Sequence, residues 1–137
     1  MSRENVEVVR RAIEASRSDD LDARRQEGVA LWDPACQYTS VMAALEPATY
    51  HGHDGLRRYL TDLAKRWSQW RSEPEEILAV SSDTVVATFR FHAIGKDSGV
   101  PVQARLGSVF VLSSGKLLRG RTYPSPEEAL EAVGLRE

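Results

Sequence analysis

Apolar residues recur at helical spacing in two well-marked stretches of this chain and cluster in β-prone runs elsewhere. From Ser2 or Asn5, either of which can cap a helix, Val6, Val9, Ala12 or Ile13, and Ser16 share one side, with Arg10, Arg11, Glu14 and Arg17 on the other. Ser18-Asp19-Asp20 interrupts that pattern. Leu21 to Trp32 reads as a second, short helix stopped at Asp33-Pro34, because proline cannot continue the hydrogen-bond ladder. Ala35 to Val41 suits a strand with Cys36, Tyr38 and Ser40 on one face. Val41 to His51 follows as a loop whose Met42, Leu45, Pro47 and Tyr50 are apolar enough for a lid over something.

The second helical stretch is longer. Between Asp54 and Trp70, the residues Leu56, Leu60, Leu63, Trp67 and Trp70 fall on one stripe, with Arg57, Lys65 and Arg66 off it, so a long helix lying across a sheet is predicted. A weak strand around Glu76 to Val80 precedes three stronger ones, Val85 to Ala93, Val100 to Leu112 and Leu117 to Tyr123. The turn-prone segments Gly95 to Gly99 and Ser113-Ser114-Gly115 separate the three, which makes an antiparallel meander. Ser125-Pro126-Glu127-Glu128 is a capping box, and Gly134 closes the short helix that it opens. Segregated helices and an antiparallel sheet indicate an α+β fold. No repeat or linker divides the chain, so residues 1–137 are read as one domain.

Composition narrows the partners. With 137 residues, 42% hydrophobic and 28% charged, the chain can bury one core unaided. Eighteen Lys plus Arg against 20 Asp plus Glu leave no basic excess for a phosphate backbone, so nucleic acid is not expected. The lone Cys36 excludes an internal disulfide framework, and Met1-Ser2-Arg3-Glu4-Asn5 has no signal-peptide core; both favour a cytoplasmic protein. No apolar run approaches the roughly 20 residues that span a bilayer. No glycine-rich phosphate loop follows a strand, and no cofactor is expected.

The order of these elements resembles the nuclear transport factor two-like superfamily, and several segments resemble its SnoaL-like branch. They are Asn5-Val6-Glu7-Val8-Val9-Arg10, Trp32-Asp33-Pro34, Tyr50-His51-Gly52-His53-Asp54-Gly55-Leu56-Arg57, Ser114-Gly115-Lys116-Leu117, Arg121-Thr122-Tyr123 and Glu128-Ala129-Leu130. The resemblance implies a curved sheet wrapped around the N-terminal helices and one long helix, a cone with a small-molecule cavity, and often a homodimer. It does not choose among isomerases, hydrolases, dehydratases, polyketide cyclases and non-catalytic members. Steroid isomerase relatives use an Asp base on the first strand, with a Tyr and a protonated Asp holding the enolate. Thr39 falls at or near the base position here and Gly107 near the acid, and neither can replace a carboxylate. Cyclases of this branch are expected to use a cavity Asp or His, yet Val85 to Tyr123 holds one acid, Asp97, in a predicted turn.

Candidate chemistry then rests on few residues. His51 and His53 have a suitable ordinary pKa for a general base, with Tyr38 or Tyr123 as hydrogen-bond donor. With Asp54 the two histidines could supply metal ligands, but near-adjacent ligands rarely reach metal geometry without a distant fourth group, and no metal is expected. Trp32, Trp67 and Trp70 offer an aromatic wall for a flat ligand, with core packing the competing reading. Cys36 reads as a small buried residue. Counting back from the turn at 96–99 pairs Arg90 with Arg105 and His92 with Gln103, an opposed arginine pair that calls for an anion or acid between them. The same counting sets Arg121 near Ser108 and Tyr123 near Leu106, so a ligand pocket of Trp32, Tyr38, Trp67, Trp70, Arg121 and Tyr123 is expected. Val109, Val111 and Leu118 would share the face of Arg90 and Arg105, an apolar patch suited to a homodimer through the sheet. Three readings result: a binding protein for a small apolar or amphipathic ligand, an acid/base enzyme acting on an apolar ketone- or polyketide-like substrate, and a non-catalytic dimerisation module.

Overall fold

The computed structural model describes residues 2–19, 21–44 and 46–135, and Leu45 of the proposed lid lies outside them. Four helices and six strands follow one another as α1 (Ser2–Glu14), α2 (Leu21–Ala30), β1 (Trp32–Ser40), β2 (Ala48–His51), α3 (Gly52–Arg66), β3 (Trp67–Ala79), β4 (Thr84–Gly95), β5 (Pro101–Ser113), β6 (Lys116–Tyr123) and α4 (Pro126–Ala132). The strands form one curved sheet in the order β2-β1-β6-β5-β4-β3. β1 runs parallel to β6 and all other neighbours are antiparallel, so the sheet is mixed where a purely antiparallel one is expected from the meander. The difference arises because β1 joins the meander through its last strand, with α3 and four strands intervening in sequence.

Three boundaries differ from the sequence pattern, each where tertiary contacts intervene. α2 stops at Ala30, whose carbonyl accepts from Lys116 Nζ at 2.8 Å, while Trp32 is already paired with Leu117. Pro34 is then accommodated where the β1–β6 register shifts between Trp32 and Gln37, a usual place for a strand proline. The end of the expected loop, Ala48 to His51, pairs with β1. α3 ends at Arg66, where Trp67 turns extended and Lys96 donates its backbone N–H to Arg66 O at 3.0 Å and its Nζ to Ala64 O at 3.1 Å. Trp67 and Trp70 therefore belong to β3, which runs far longer than the weak strand expected at 76–80.

The inner face of the sheet carries Phe89, Phe91, Leu106, Phe110 and Leu112, closed off by Val9 and Ile13 of α1 and Leu56 and Leu63 of α3. α4 sits on the outer face. Ser125 caps it, its hydroxyl accepting from Glu128 N at 3.2 Å, as the capping box predicts. It packs over Gly107, where an added Cβ would lie 2.6 Å from Ala129 Cβ, and it leaves Val86 and Thr88 buried on a face that otherwise meets solvent. Asn5, a candidate cap, is instead buried within α1 and donates to Ser82 O at 3.0 Å, tying the helix to the β3–β4 turn.

Candidate functional site

Tyr38 on β1, Tyr59 on α3 and Ser108 and Phe110 on β5 converge with Trp32 on a partly open cavity of about 90 Å³ under α1. Trp32 packs at 5.4 Å from Tyr38 and 6.0 Å from Phe110, and Tyr38 meets Tyr59 edge-on at 5.2 Å. Gly120 makes room for two of these rings: a Cβ there would stand 2.9 Å from Trp32 and from Phe110. No carboxylate, imidazole, ammonium or guanidinium lines the cavity among the described residues.

Its polar equipment is hydroxyl. Tyr38 Oη lies 2.6 Å from Thr122 Oγ1, which lies 2.7 Å from Ser108 Oγ. Three O–H groups joined by two links leave one hydrogen to donate elsewhere, and Tyr38 and Ser108 at the chain's ends both line the cavity. Burial holds the Tyr38 phenol above its ordinary range, against its hydrogen bond with Thr122, and burial beside Tyr38 raises Tyr59 well above its own. Both rings are thus neutral donors at physiological pH. Ser40 is fully buried beside them and accepts from Met42 N at 3.0 Å, which anchors the start of the 41–47 loop.

Of the residues expected to line the pocket, Trp32 and Tyr38 do so and four stand elsewhere. Trp67 donates Nε1 to Met42 O at 2.9 Å, packs on Phe91 at 5.7 Å and lies under the Arg66 guanidinium, so it pins the loop from outside the cavity. Trp70, two residues before Ser72 on β3, is buried and borders a separate open groove with His92 and Gln103. Arg121 and Tyr123 lie on the outer face, the guanidinium 5.4 Å from the ring centroid. Their displacement has one cause. Ser113 pairs with Lys116 and Leu112 with Leu117, as the hairpin count predicts, but a bulge at Val111/Leu112 shifts the rest by one residue, so Val109 faces Arg121 and Gly107 faces Tyr123. A shift of one exchanges the faces and brings Thr122 inward.

The histidines also stand outside. His51 is exposed at the α3 N-cap position without a side-chain capping bond, and His53 Nε2 lies 2.7 Å from Trp32 O, fastening α3 to the start of β1. Asp54 pairs with Arg57 at 2.8 Å, and no three metal-binding side chains cluster among the described residues. Cys36 is buried, which pushes its thiol up, and it is unsuited to nucleophilic attack. At the positions matched to the isomerase base and acid, Thr39 points away from the cavity to Thr49 at 2.9 Å, and Gly107 lies under α4. Tyr38 and Ser108 are the cavity-lining neighbours, and neither supplies a carboxylate.

On the outer face, Arg90 does lie opposite Arg105 and His92 opposite Gln103. The acid between the arginines is Glu75, 3.1 Å from Arg90 and 3.0 Å from Arg105, and the Arg105 hydrogen bond in particular holds its carboxyl below the usual range. His92 bonds Glu73 at 3.2 Å and Gln103 at 3.1 Å. The arginine pair is satisfied internally and needs no external anion.

Sequence comparison matches residues 9–120 to the model of the SnoaL-like domain. The chain belongs to this family. As a SnoaL-like domain it has many structural counterparts. A nuclear transport factor two-like protein of unknown function from Burkholderia pseudomallei superposes with a TM-score of 0.75 at 16% identity, covering 96% of this chain and 98% of that one. TerC, crystallised with polyporic acid, gives 0.75 at 16% identity, with 95% and 98% covered. A protein of ketosteroid isomerase-like fold from Catenulispora acidiphila, in complex with trimethylamine, gives 0.74 at 13% identity, with 94% and 93% covered. At these identities the likeness is one of fold. No curated protein matches the SnoaL-like chain. None of its helices, among the described residues, is long and apolar enough to cross a membrane.

Proposed function

We propose that this SnoaL-like domain binds a small, uncharged, largely apolar molecule in the cavity under α1. The lining carries the proposal: aromatic and aliphatic walls whose polar side-chain groups, among the described residues, are hydroxyls and the Trp32 indole N–H. Apolar walls supply buried area and a few fixed polar groups set orientation. Because burying an unpaired charge is costly, a ligand without charge suits these walls. The volume of about 90 Å³ is below the roughly 150 Å³ that holds benzene in an engineered apolar cavity, so a single ring or short chain is the size class, with any remainder in the opening. Polyketide-sized substrates require the pocket to widen.

The acid/base reading has Tyr38 as its hydrogen-bond donor but finds no base along the walls among the described residues. Binding without catalysis is therefore favoured. Neutral phenols such as p-cresol are expected to quench or shift tryptophan fluorescence. Trp32→Phe should remove most of that response while Trp67→Phe preserves it, since Trp32 lines the cavity and Trp67 does not. A panel of neutral rings, sterols and fatty acids that leaves the emission unchanged would remove the binding function and favour the dimerisation module.

A homodimer through the sheet is proposed for the part of the outer face that α4 leaves open, around Arg90, Glu75 and Arg105. Val109, Val111 and Leu118, beyond Gly107 and α4 from the arginines, are only half-buried, which supports an association surface. Light scattering should give twice the chain mass at micromolar concentration; a monomer mass would end this proposal.

A further inference from the structure

The cavity has a second polar end that the hydroxyl chain does not reach. Ser16 Oγ and Ser72 Oγ are buried, both residues line the cavity, and neither oxygen has a hydrogen-bond partner within the protein. A buried hydroxyl left without a partner is destabilising, and such groups are uncommon in folded proteins. Two in one cavity, on neighbouring backbone segments, are therefore informative.

Their placement is built into the backbone. The residues after α1 run antiparallel to the edge of β3: Ser72 N donates to Ser16 O at 3.1 Å, Ser18 N donates to Trp70 O at 2.9 Å, and Arg17 bridges Arg71. Ser18 Oγ adds a bond from Trp70 N at 3.0 Å. These bonds fix the two serine backbones side by side. The sheet register separates them from the other polar end, since Ser72 pairs with Phe91, Phe91 with Ala104, and Ser108 lies four residues further along β5. Between the backbones that is on the order of 13 Å along the strands and 10 Å across two strand spacings. Phe89 lies on the wall between.

We infer that Ser16 and Ser72 form a second hydrogen-bonding subsite, which takes an uncharged hydroxyl or carbonyl oxygen of a ligand whose other polar end meets Tyr38 and Ser108. This rests on the reading of the cavity as a small-molecule site and narrows it to a two-ended class: a narrow neutral body, ring or chain, with one oxygen at each end. Each serine hydroxyl can both donate and accept, so a ligand alcohol or ketone satisfies them equally well. An ammonium or carboxylate would find no opposite charge on the lining among the described residues.

The test compares ligands that differ by one hydroxyl at the far end, at two lengths: p-cresol against 4-hydroxybenzyl alcohol, and 4-ethylphenol against 4-(2-hydroxyethyl)phenol. Calorimetric titration gives the four affinities for the wild type and for Ser16→Ala/Ser72→Ala. In an apolar end the added hydroxyl would weaken binding, because it gives up water for nothing. Here at least one of the two diols is expected to bind as tightly as its alkyl partner or more tightly. The double variant should lose about tenfold for that diol while the alkylphenol keeps its affinity, the asymmetry of a site built to hydrogen-bond a ligand group. Its melting temperature without ligand should not fall, because the hydroxyls removed have no partner to lose. If both alkylphenols bind but both diols bind more weakly, or if the variant leaves the diol-to-alkyl ratio unchanged, the subsite is overturned and the binding function stands. If no phenol binds at all, the binding function itself fails.

Discussion

Thr122→Val is expected to lower the free energy of unfolding by at least about 2 kcal/mol, although it preserves shape and removes only a hydroxyl. Thr122 is 1% exposed and joins Tyr38 at 2.6 Å to Ser108 at 2.7 Å, so valine deprives both partners at once. Each buried hydroxyl left unsatisfied costs about 1–3 kcal/mol. Thr122→Ser keeps the oxygen and should recover most of the loss, apart from the small cavity that the missing methyl leaves. Urea denaturation of the three proteins measures this. A valine variant within about 0.5 kcal/mol of the wild type would mean that Tyr38 and Ser108 do not depend on the bridge.

Gly107→Ala is expected to cost about 2–3 kcal/mol, far more than glycine to alanine in an open strand. The new Cβ would meet Ala129 Cβ at 2.6 Å, Pro126 Cα at 3.1 Å and Ser125 O at 3.3 Å, and two of these three neighbours are backbone atoms that cannot turn aside. α4 would have to lift from the sheet and uncover Val86 and Thr88. Ala129→Gly removes the closest contact, at the usual helix cost of about 1 kcal/mol for glycine. A double-mutant cycle should show the two changes coupled favourably. Additive losses would place the strain elsewhere.

The sequence displayed the container better than its contents, and the reasons are local. Helix α1, the capped α4 and the β4–β5 register around Arg90 and Arg105 follow from periodicity, a capping box and a turn, all signals carried by neighbouring residues. Trp67 and Trp70 continued the α3 stripe by coincidence of spacing, while the carbonyls that close the helix are taken by Lys96, thirty residues away. The candidate pocket was legible at Trp32 and Tyr38, which one short strand positions. It was illegible at Arg121 and Tyr123, because the bulge at Val111/Leu112 leaves no composition signal and reverses every side chain beyond it. Thr122, Ser108, Ser16 and Ser72 carry no distinctive motif. A hydroxyl becomes notable only once the fold has buried it.

The parallel contact between β1 and β6 also sets the order in which the chain can assemble. Every other strand pairs with a neighbour in sequence, so hairpins can form as soon as they are available. β1 has only the four-residue β2 until β6 is made, because Trp32 must wait for Leu117 and Tyr38 for Gly120 and Thr122. That long-range closure pays its loop entropy before any of its contacts form, which places it late and makes it slow. During synthesis α3 can cover the inner face of β1 through Tyr59, but the β1 edge that takes β6 stays unpaired until Lys116–Tyr123 has been made. A chain that stops before Lys116 would lack the strand that joins the meander to β1.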